Sequence, residues 1–203
     1  MARPRTALLD VDRIVDTALQ LADAAGDFTV AQLASKLSVH PSSLYHHVSG
    51  RDDVIDRMRA RIGRSIDNSA FDSAPWDEAL ASLAWSYRAA FARHPGAIRL
   101  FATSLVRDWE SLSEYEKIAV ALHGAGFTWS EVLPIIIAFD NFVLGSALDM
   151  ASGGNLWTPD PQMHPALSAA TDAPGDGRSA ADIAFEVGLT ALLTGLRHRL
   201  SNR

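Results

Sequence analysis

Ser42, Ser43, Tyr45, His46 and His47 form a short run of hydroxyls and imidazoles. Such groups can move protons, bind a metal, or donate hydrogen bonds to phosphates and base edges. Metal binding fits poorly. His46 and His47 are adjacent, so on a helix their rings point about 100° apart. His94, His123, His164 and His198 share no ligand spacing, and the chain has no cysteine. That absence also removes a thiol nucleophile and any disulfide framework, and it suits a reducing cytosol. No Gly-x-Ser-x-Gly, phosphate-cradling glycine loop or His-Glu-x-x-His motif is present. No metal, no cofactor and no enzymatic activity are therefore expected. Hydrogen bonding to phosphates and base edges needs only that a helix present these groups outward.

The elements that must present these groups read as helices throughout. Asp10 caps a first helix over 11–25, with Ile14, Val15, Ala18, Leu21 and Ala22 on its apolar face and Gly26 at its end. Thr29-Val30-Ala31-Gln32 is a capping-box pattern opening a short helix over 30–36. Ser38-Val39-His40 breaks the pattern, and Pro41 suits the first turn of a helix over 41–47. A long helix follows from Arg51 to about Asn68. Two short helices joined by a tight turn and packed on a longer one make a helix-turn-helix. Leu44 and Val48 point inward with the Tyr45 ring partly packed, and Ser42, Ser43, His46 and His47 point outward. Thr29 and Arg51 stand at helix N-termini, where backbone N–H groups favour a phosphate. From periodicity alone, a three-helix unit with a merely polar surface fits equally well.

Charge divides along the chain. The net charge is -6, from 18 Lys and Arg against 24 Asp and Glu. Residues 1–64 carry +1 of it and residues 65–203 carry -7. An acidic total does not forbid nucleic-acid binding, because the field at the contact face decides. An apolar fraction of 48% suffices for a sizeable core. The N-terminus has no apolar signal segment, and the most apolar stretch, 133–148, is shorter than a membrane span and holds Pro134, Asp140 and Asn141. A cytoplasmic, non-membrane protein is expected.

Thr29 to Val48 resembles the DNA-binding segment of the tetracycline-repressor (TetR) family. Leu44-Tyr45-His46-His47-Val48, followed by Arg51-Asp52-Asp53-Val54-Ile55-Asp56, matches that family's recognition helix and the start of its fourth helix. The match is strong over 10–60. It continues more weakly through Trp76 to Arg93, His94-Pro95-Gly96-Ala97 and Phe142-Val143-Leu144-Gly145. The resemblance implies an all-α homodimer that binds a palindromic DNA operator and releases it when a small molecule enters the C-terminal core. It also implies DNA contacts, mostly to phosphates, from Thr29, Ser42, Ser43, Tyr45, His46, His47 and Arg51, and Pro41 joins this set as the first residue of the reading helix. The expected organisation is a helix-turn-helix domain over 1–50, a linking helix over 51–68, and an effector-binding and dimerisation domain over 69–203. An activator or a co-repressor-dependent regulator is an alternative. So is a small-molecule-binding helical protein or an enzyme with no sequence-specific DNA binding.

In the C-terminal part, helices are expected from Pro75 to about His94, over 97–105, from Leu112 to about Leu122, over 130–151 and over 179–200. The last is apolar or small outside one narrow polar stripe, so a partner should cover it. Gly145, Gly188, Ala191 and Gly195 allow close helix approach, and the helices over 130–151 and 179–200 are expected to form a four-helix interface in a two-fold dimer. The stretch 152–178 reads as a loop, either with Trp157 and Met163 partly docked over a pocket mouth or as a plain mobile surface loop, and with a short helix at 165–170. For the effector, which stays unidentified, the expected contacts are Trp85, Phe91, Thr103, Trp109, Ile137, Asn141 and Asp149. Against the resemblance, the family's magnesium-binding His is replaced here by Leu100. Leu has no ligand atom, which argues against a magnesium–tetracycline effector.

Overall fold

The computed structural model describes residues 9–153, 157–173 and 177–202, and every regular element among them is helical. The first helix, α1 (Val11–Ala25), starts where Asp10 accepts the Arg13 N–H at 2.8 Å and stops at Gly26, whose φ of 73° suits a residue without a Cβ. In α2 (Val30–Leu37) the Thr29 hydroxyl accepts the Gln32 N–H at 3.1 Å, and the Gln32 side chain accepts the Thr29 N–H at 2.7 Å. Ser38 turns the chain in the left-handed region, φ 58°. The next helix, α3 (Pro41–Leu44), is shorter than the expected 41–47. Beyond it the path tightens, with the His47 N–H on the Leu44 carbonyl at 2.9 Å. Leu44 and Val48 are buried as expected, but Tyr45 is 56% exposed rather than partly packed.

The linking helix, α4 (Arg51–Gly63), ends five residues before the expected Asn68, and a 3-10 turn follows at Ser69–Asp72. The remaining helices are α5 (Trp76–Ala92), α6 (Pro95–Thr103), α7 (Trp109–Gly124), α8 (Trp129–Ala151), α9 (Pro165–Thr171) and α10 (Ala180–Ser201). The expected 112–122 helix begins three residues early because the Asp108 carboxylate caps it, accepting the Ser111 N–H at 2.8 Å. Trp157 and Met163 are 63% and 74% exposed, so the expected docking of these two side chains over a pocket is not found. Gly154, Pro174 and Gly175, read as part of the same loop, lie outside the described residues.

One buried cluster runs from Ile14 in α1 through Met58 in α4 and Phe139 in α8 to Leu196 in α10. The helix-turn-helix head therefore shares a core with the rest. It joins it along two seams, α1 on α6 and α4 on α5, α6 and α7. At 23 residues, α8 is longer than the apolar stretch read from sequence and is long and apolar enough to cross a membrane. Its midpoint, however, carries Asp140 bonded to Tyr115 of α7, and one flank packs on α5, α7 and α10. Its other flank leaves Leu133, Ile137 and Leu148 exposed.

Candidate nucleic-acid interface and effector cavity

The head puts its able side chains on one surface segment. Thr29, Pro41, Ser42, Tyr45 and His46 are exposed, and Ser43 and His47 are partly so. His40 organises the first turn of α3. Its Nδ1 accepts the Ser42 N–H at 3.3 Å and lies 2.8 Å from the Ser42 hydroxyl. A nitrogen that accepts from a backbone amide carries no proton, so the Ser42 hydroxyl donates to it and keeps its lone pairs outward. His40 was absent from the expected contacts; its place immediately before Pro41 is the sequence signal of a cap.

Arg51 does more than stand at a helix start. Its Nε donates to the Phe28 carbonyl at 3.0 Å, its Nη2 to Asp27 Oδ1 at 2.5 Å, and the guanidinium lies over the Phe28 ring. The Arg51 hydrogen bond holds the Asp27 carboxyl below its usual range, helped by the Phe28 N–H. Arg51 thus pins the α1–α2 turn to the start of α4, while its Nη1 makes no hydrogen bond among the described residues. Asp53 accepts the Ser49 N–H at 2.8 Å and the Arg57 Nε at 2.7 Å, which closes the turn leaving the reading segment.

Between α4, α5, α7 and α8 lies a cavity of about 660 Å³, within the size range of small-molecule sites. Four of the expected effector contacts line it: Phe91, Trp109, Ile137 and Asn141. Three do not. Trp85 packs edge-on against Phe185 of α10. The Thr103 hydroxyl turns back on the Arg99 carbonyl at 3.0 Å and faces a smaller hollow beside Arg51 and Arg107. Asp149 lies near the far end of α8, outside the lining. A residue can hold the right helical spacing and still face another neighbour, since α5 and α8 each contact several helices.

The polar centre of the cavity was not anticipated in full. Tyr115 donates its hydroxyl to Asp140 Oδ2 at 2.7 Å, with Tyr87 beside them. Burial raises the Asp140 carboxyl above its usual range, against the Tyr115 and Tyr87 hydroxyls and the Arg59 charge, which pull it down. Burial likewise pushes both tyrosines up, with the Asp140 charge adding to it. Arg59, 6% exposed, reaches from α4 to the end of α6. It donates to the Phe101, Ser104 and Leu105 carbonyls at 3.3, 3.4 and 3.3 Å and lies over the Phe101 ring. Its signal was legible in principle, because 55, 58, 59 and 62 share one helix face and only position 59 is charged.

The proposed interface residues lie on the outer side of α8 and α10. Gly145, Ala191 and Gly195 are exposed, and a Cβ built on either of these two glycines meets nothing within 4 Å. Gly188 is different. A Cβ there would lie 2.4 Å from Phe142 Cε2, so this glycine serves the packing of α10 on α8 within one chain. Arg88 of α5, 2% exposed, closes the same region by donating to Asp182 Oδ1 at 2.6 Å.

Residues 71–200 match the family described as tetracyclin repressor-like, C-terminal domain. The chain is 30% identical over 142 residues to the HTH-type transcriptional repressor DrrR1 of Streptomyces coeruleorubidus, which covers 68% of this chain but 53% of that one. It is 26% identical over 204 residues to the class E tetracycline repressor protein of Escherichia coli, covering 97% and 95% of the two chains. Among solved structures, ActR of Streptomyces coelicolor in complex with actinorhodin superposes with a TM-score of 0.73 at 24% identity, covering 96% of this chain and 99% of that one. The chain spans about half the length of DrrR1. With a C-terminal match over well more than half its length, behind a helix-turn-helix head, the chain belongs to the TetR family of transcriptional regulators.

Proposed function

We propose that this chain is a cytoplasmic homodimeric repressor that holds a palindromic DNA operator and releases it when a small, largely apolar molecule fills the cavity. The observation that carries the reading is Arg59. It stands on the helix whose first residue pins the head, it lines the cavity, and it holds one carbonyl in the last turn of α6 and two just beyond it. A ligand that displaces the end of α6 must move or break those bonds, and α4 moves with them. The two heads of a dimer then change separation, and release requires only that the ligand prefer that spacing.

The reading segment supplies the DNA contacts. Tyr45 and His46 are exposed, Ser42, Ser43 and His47 flank them, and Thr29 and Arg51 Nη1 address phosphates at two helix starts. A face suited to a second copy supports the reading as well. α8 and α10 pack on each other and each leaves exposed apolar or small residues, Leu133 and Leu148 on α8 and Ala191 and Gly195 on α10, which a second copy would cover in a four-helix packing. Two-fold symmetry places the two reading segments on half-sites one DNA turn or a multiple apart.

Selection from a random duplex pool tests this. The expected product is an inverted repeat, bound by a dimer and competed poorly by unselected DNA. If unselected duplexes compete as well as any selected one at physiological salt, the operator reading fails.

A further inference from the structure

The cavity wall carries one acid that no basic side chain pairs with directly among the described residues. Of its two cations, Arg59 is already paired with Asp56 at 3.4 Å and faces Asp108 at 4.0 Å, and Arg64 is paired with Glu110 through two bonds of 2.9 Å. Glu114 accepts from Asn68 and lies 3.9 Å from Lys117. Asp140 has no cation within 4.0 Å among the described residues. Its Oδ2 takes the Tyr115 hydroxyl, and its Oδ1 is buried without a hydrogen-bond partner among those residues.

The surroundings of Asp140 are aromatic. Tyr87, Phe91, Phe101, Trp109 and Tyr115 all line the cavity. An aromatic face attracts a cation, and it does so more strongly where water is excluded. A tyrosine that donates its proton toward a carboxylate gains electron density in its ring, which strengthens that attraction. The carboxylate behind it adds a field of the same sign, undiluted by bulk water.

We propose that the cavity selects an organic cation, an apolar ring body bearing a protonated amine, held over the Tyr115 and Tyr87 rings by the unpaired carboxylate of Asp140. This rests on the reading of the cavity as the effector site. It narrows the effector from any apolar molecule to one of defined charge. The same arrangement rejects an anion of equal size, which would bring a second negative charge beside Asp140. A neutral analogue gains the ring contacts alone.

The experiment is calorimetric titration of the full-length protein, without DNA, with three probes of one ring size: naphthylethylamine, naphthylethanol and naphthylacetate. The amine is expected to bind at least about tenfold more tightly than the alcohol, since one full tenfold step needs only 1.4 kcal/mol of the attraction available in a half-dry site. The acetate is expected to bind most weakly. Asp140→Asn keeps the shape and the acceptor for Tyr115 and is expected to bring amine and alcohol within about threefold of each other. The order of the three probes on the unaltered protein stands as a test even if that variant folds poorly. If the alcohol binds and the acetate matches or exceeds the amine, or if the amine preference survives Asp140→Asn, the cation reading is overturned while the cavity remains a ligand site. If none of the three binds, both readings fall together.

Discussion

Gly96 offers a direct test of how the head is joined to the sensor. It lies in the first turn of α6, against the last turn of α1. A Cβ placed on it would lie 2.1 Å from the Ala22 carbonyl oxygen, 2.5 Å from Asp23 Cα and 2.7 Å from the Ala22 carbonyl carbon. All three are backbone atoms, so no side chain can swing aside. Ala22 O is also committed, since it accepts the Gly26 N–H at 2.7 Å in the helix cap. One residue on, Asp23 bonds His94 Nδ1 at 2.8 Å and holds the same seam shut. In Gly96→Ala one helix must retreat by about 0.9 Å to open the shortest contact even to 3.0 Å. Overpacking of this kind costs about 1–3 kcal/mol, and a backbone-on-backbone clash belongs at the upper end. For a chain of this size about 3 kcal/mol lowers Tm by about 6–12 °C. Gly124→Ala is the control. It is also helical and its Cβ meets nothing within 4 Å, so there the lost chain freedom of glycine should raise Tm slightly. Thermal melts of both variants give the stability difference, and titration on the selected operator reports whether the displaced α1 carries the reading segment with it. Gly96→Ala melting level with Gly124→Ala, with unchanged operator affinity, would show that α1 does not rest on α6 as described.

The remaining predictions probe the reading surface, the phosphate contact, the partner face and the buried acid. Tyr45→Ala and His47→Ala should each weaken operator binding about tenfold or more, the loss of one base contact, without changing the dimer; unchanged affinity in both would mean the DNA is read elsewhere. Arg51→Ala should reduce the slope of log K against log salt by about one unit, and a slope equal to wild type would leave Arg51 with only its intramolecular role at Asp27 and Phe28. Ala191→Asp should weaken dimers about a hundredfold or more, because a buried unpaired carboxylate costs several kcal/mol, and light scattering at micromolar concentration showing intact dimers would reject the α8–α10 face. Asp140 binds protons more readily in the folded chain than in the unfolded one, so its contribution to stability falls as pH rises above the ordinary carboxyl value near 3.8. The groups facing it are Tyr87 of α5, Tyr115 of α7 and Arg59 of α4. Asp140→Asn should therefore melt above wild type at pH 7 by about 2–4 °C, for about 1 kcal/mol of relieved burial, with the gap closing toward pH 4; a variant that melts lower at pH 7 would refute this sign.

What the residues disclosed, and what they withheld, follows from the range of the forces involved. Helix starts were legible because a cap is a local bond. Asp10, Thr29 and Pro41 each act within four residues of themselves, and α1, α2 and α3 begin where those residues put them. Helix ends without a strong signal were not. The apolar spacing that continues to Ile66 suggested a longer α4, yet Gly63 closes the regular helix and the Ile66 N–H bonds back to the Gly63 carbonyl at 2.9 Å. The effector contacts show the same limit at longer range. Phe91 and Trp85 both sit on α5, but they lie six residues apart, and at 3.6 residues per turn that turns them about 120° from each other, toward different neighbours. Trp85 meets Phe185 of α10, a helix that Gly188 lets pack closely on Phe142, whereas Phe91 faces the cavity lined from α4, α7 and α8.

Asp140 and Arg59 carry the larger lesson. Each is an ionisable group at a position that helical spacing assigns to the interior, and neither could be given a role until its neighbours were in place. Arg59 is answered by three carbonyls and two carboxylates, so its burial ties two helices together. Asp140 is answered on one oxygen only. A chain selected for stability alone would gain by placing an apolar side chain there, because an unsatisfied buried acceptor costs about 1–3 kcal/mol. The two cases differ in what completes them. Arg59 is complete within the fold and can transmit a displacement between α6 and α4, whereas Asp140 is left incomplete at the wall of a cavity large enough for a small molecule. Transmission and reception thus fall on different residues, so Asp140→Asn should alter which probe binds while an Arg59 variant alters what binding does to α4.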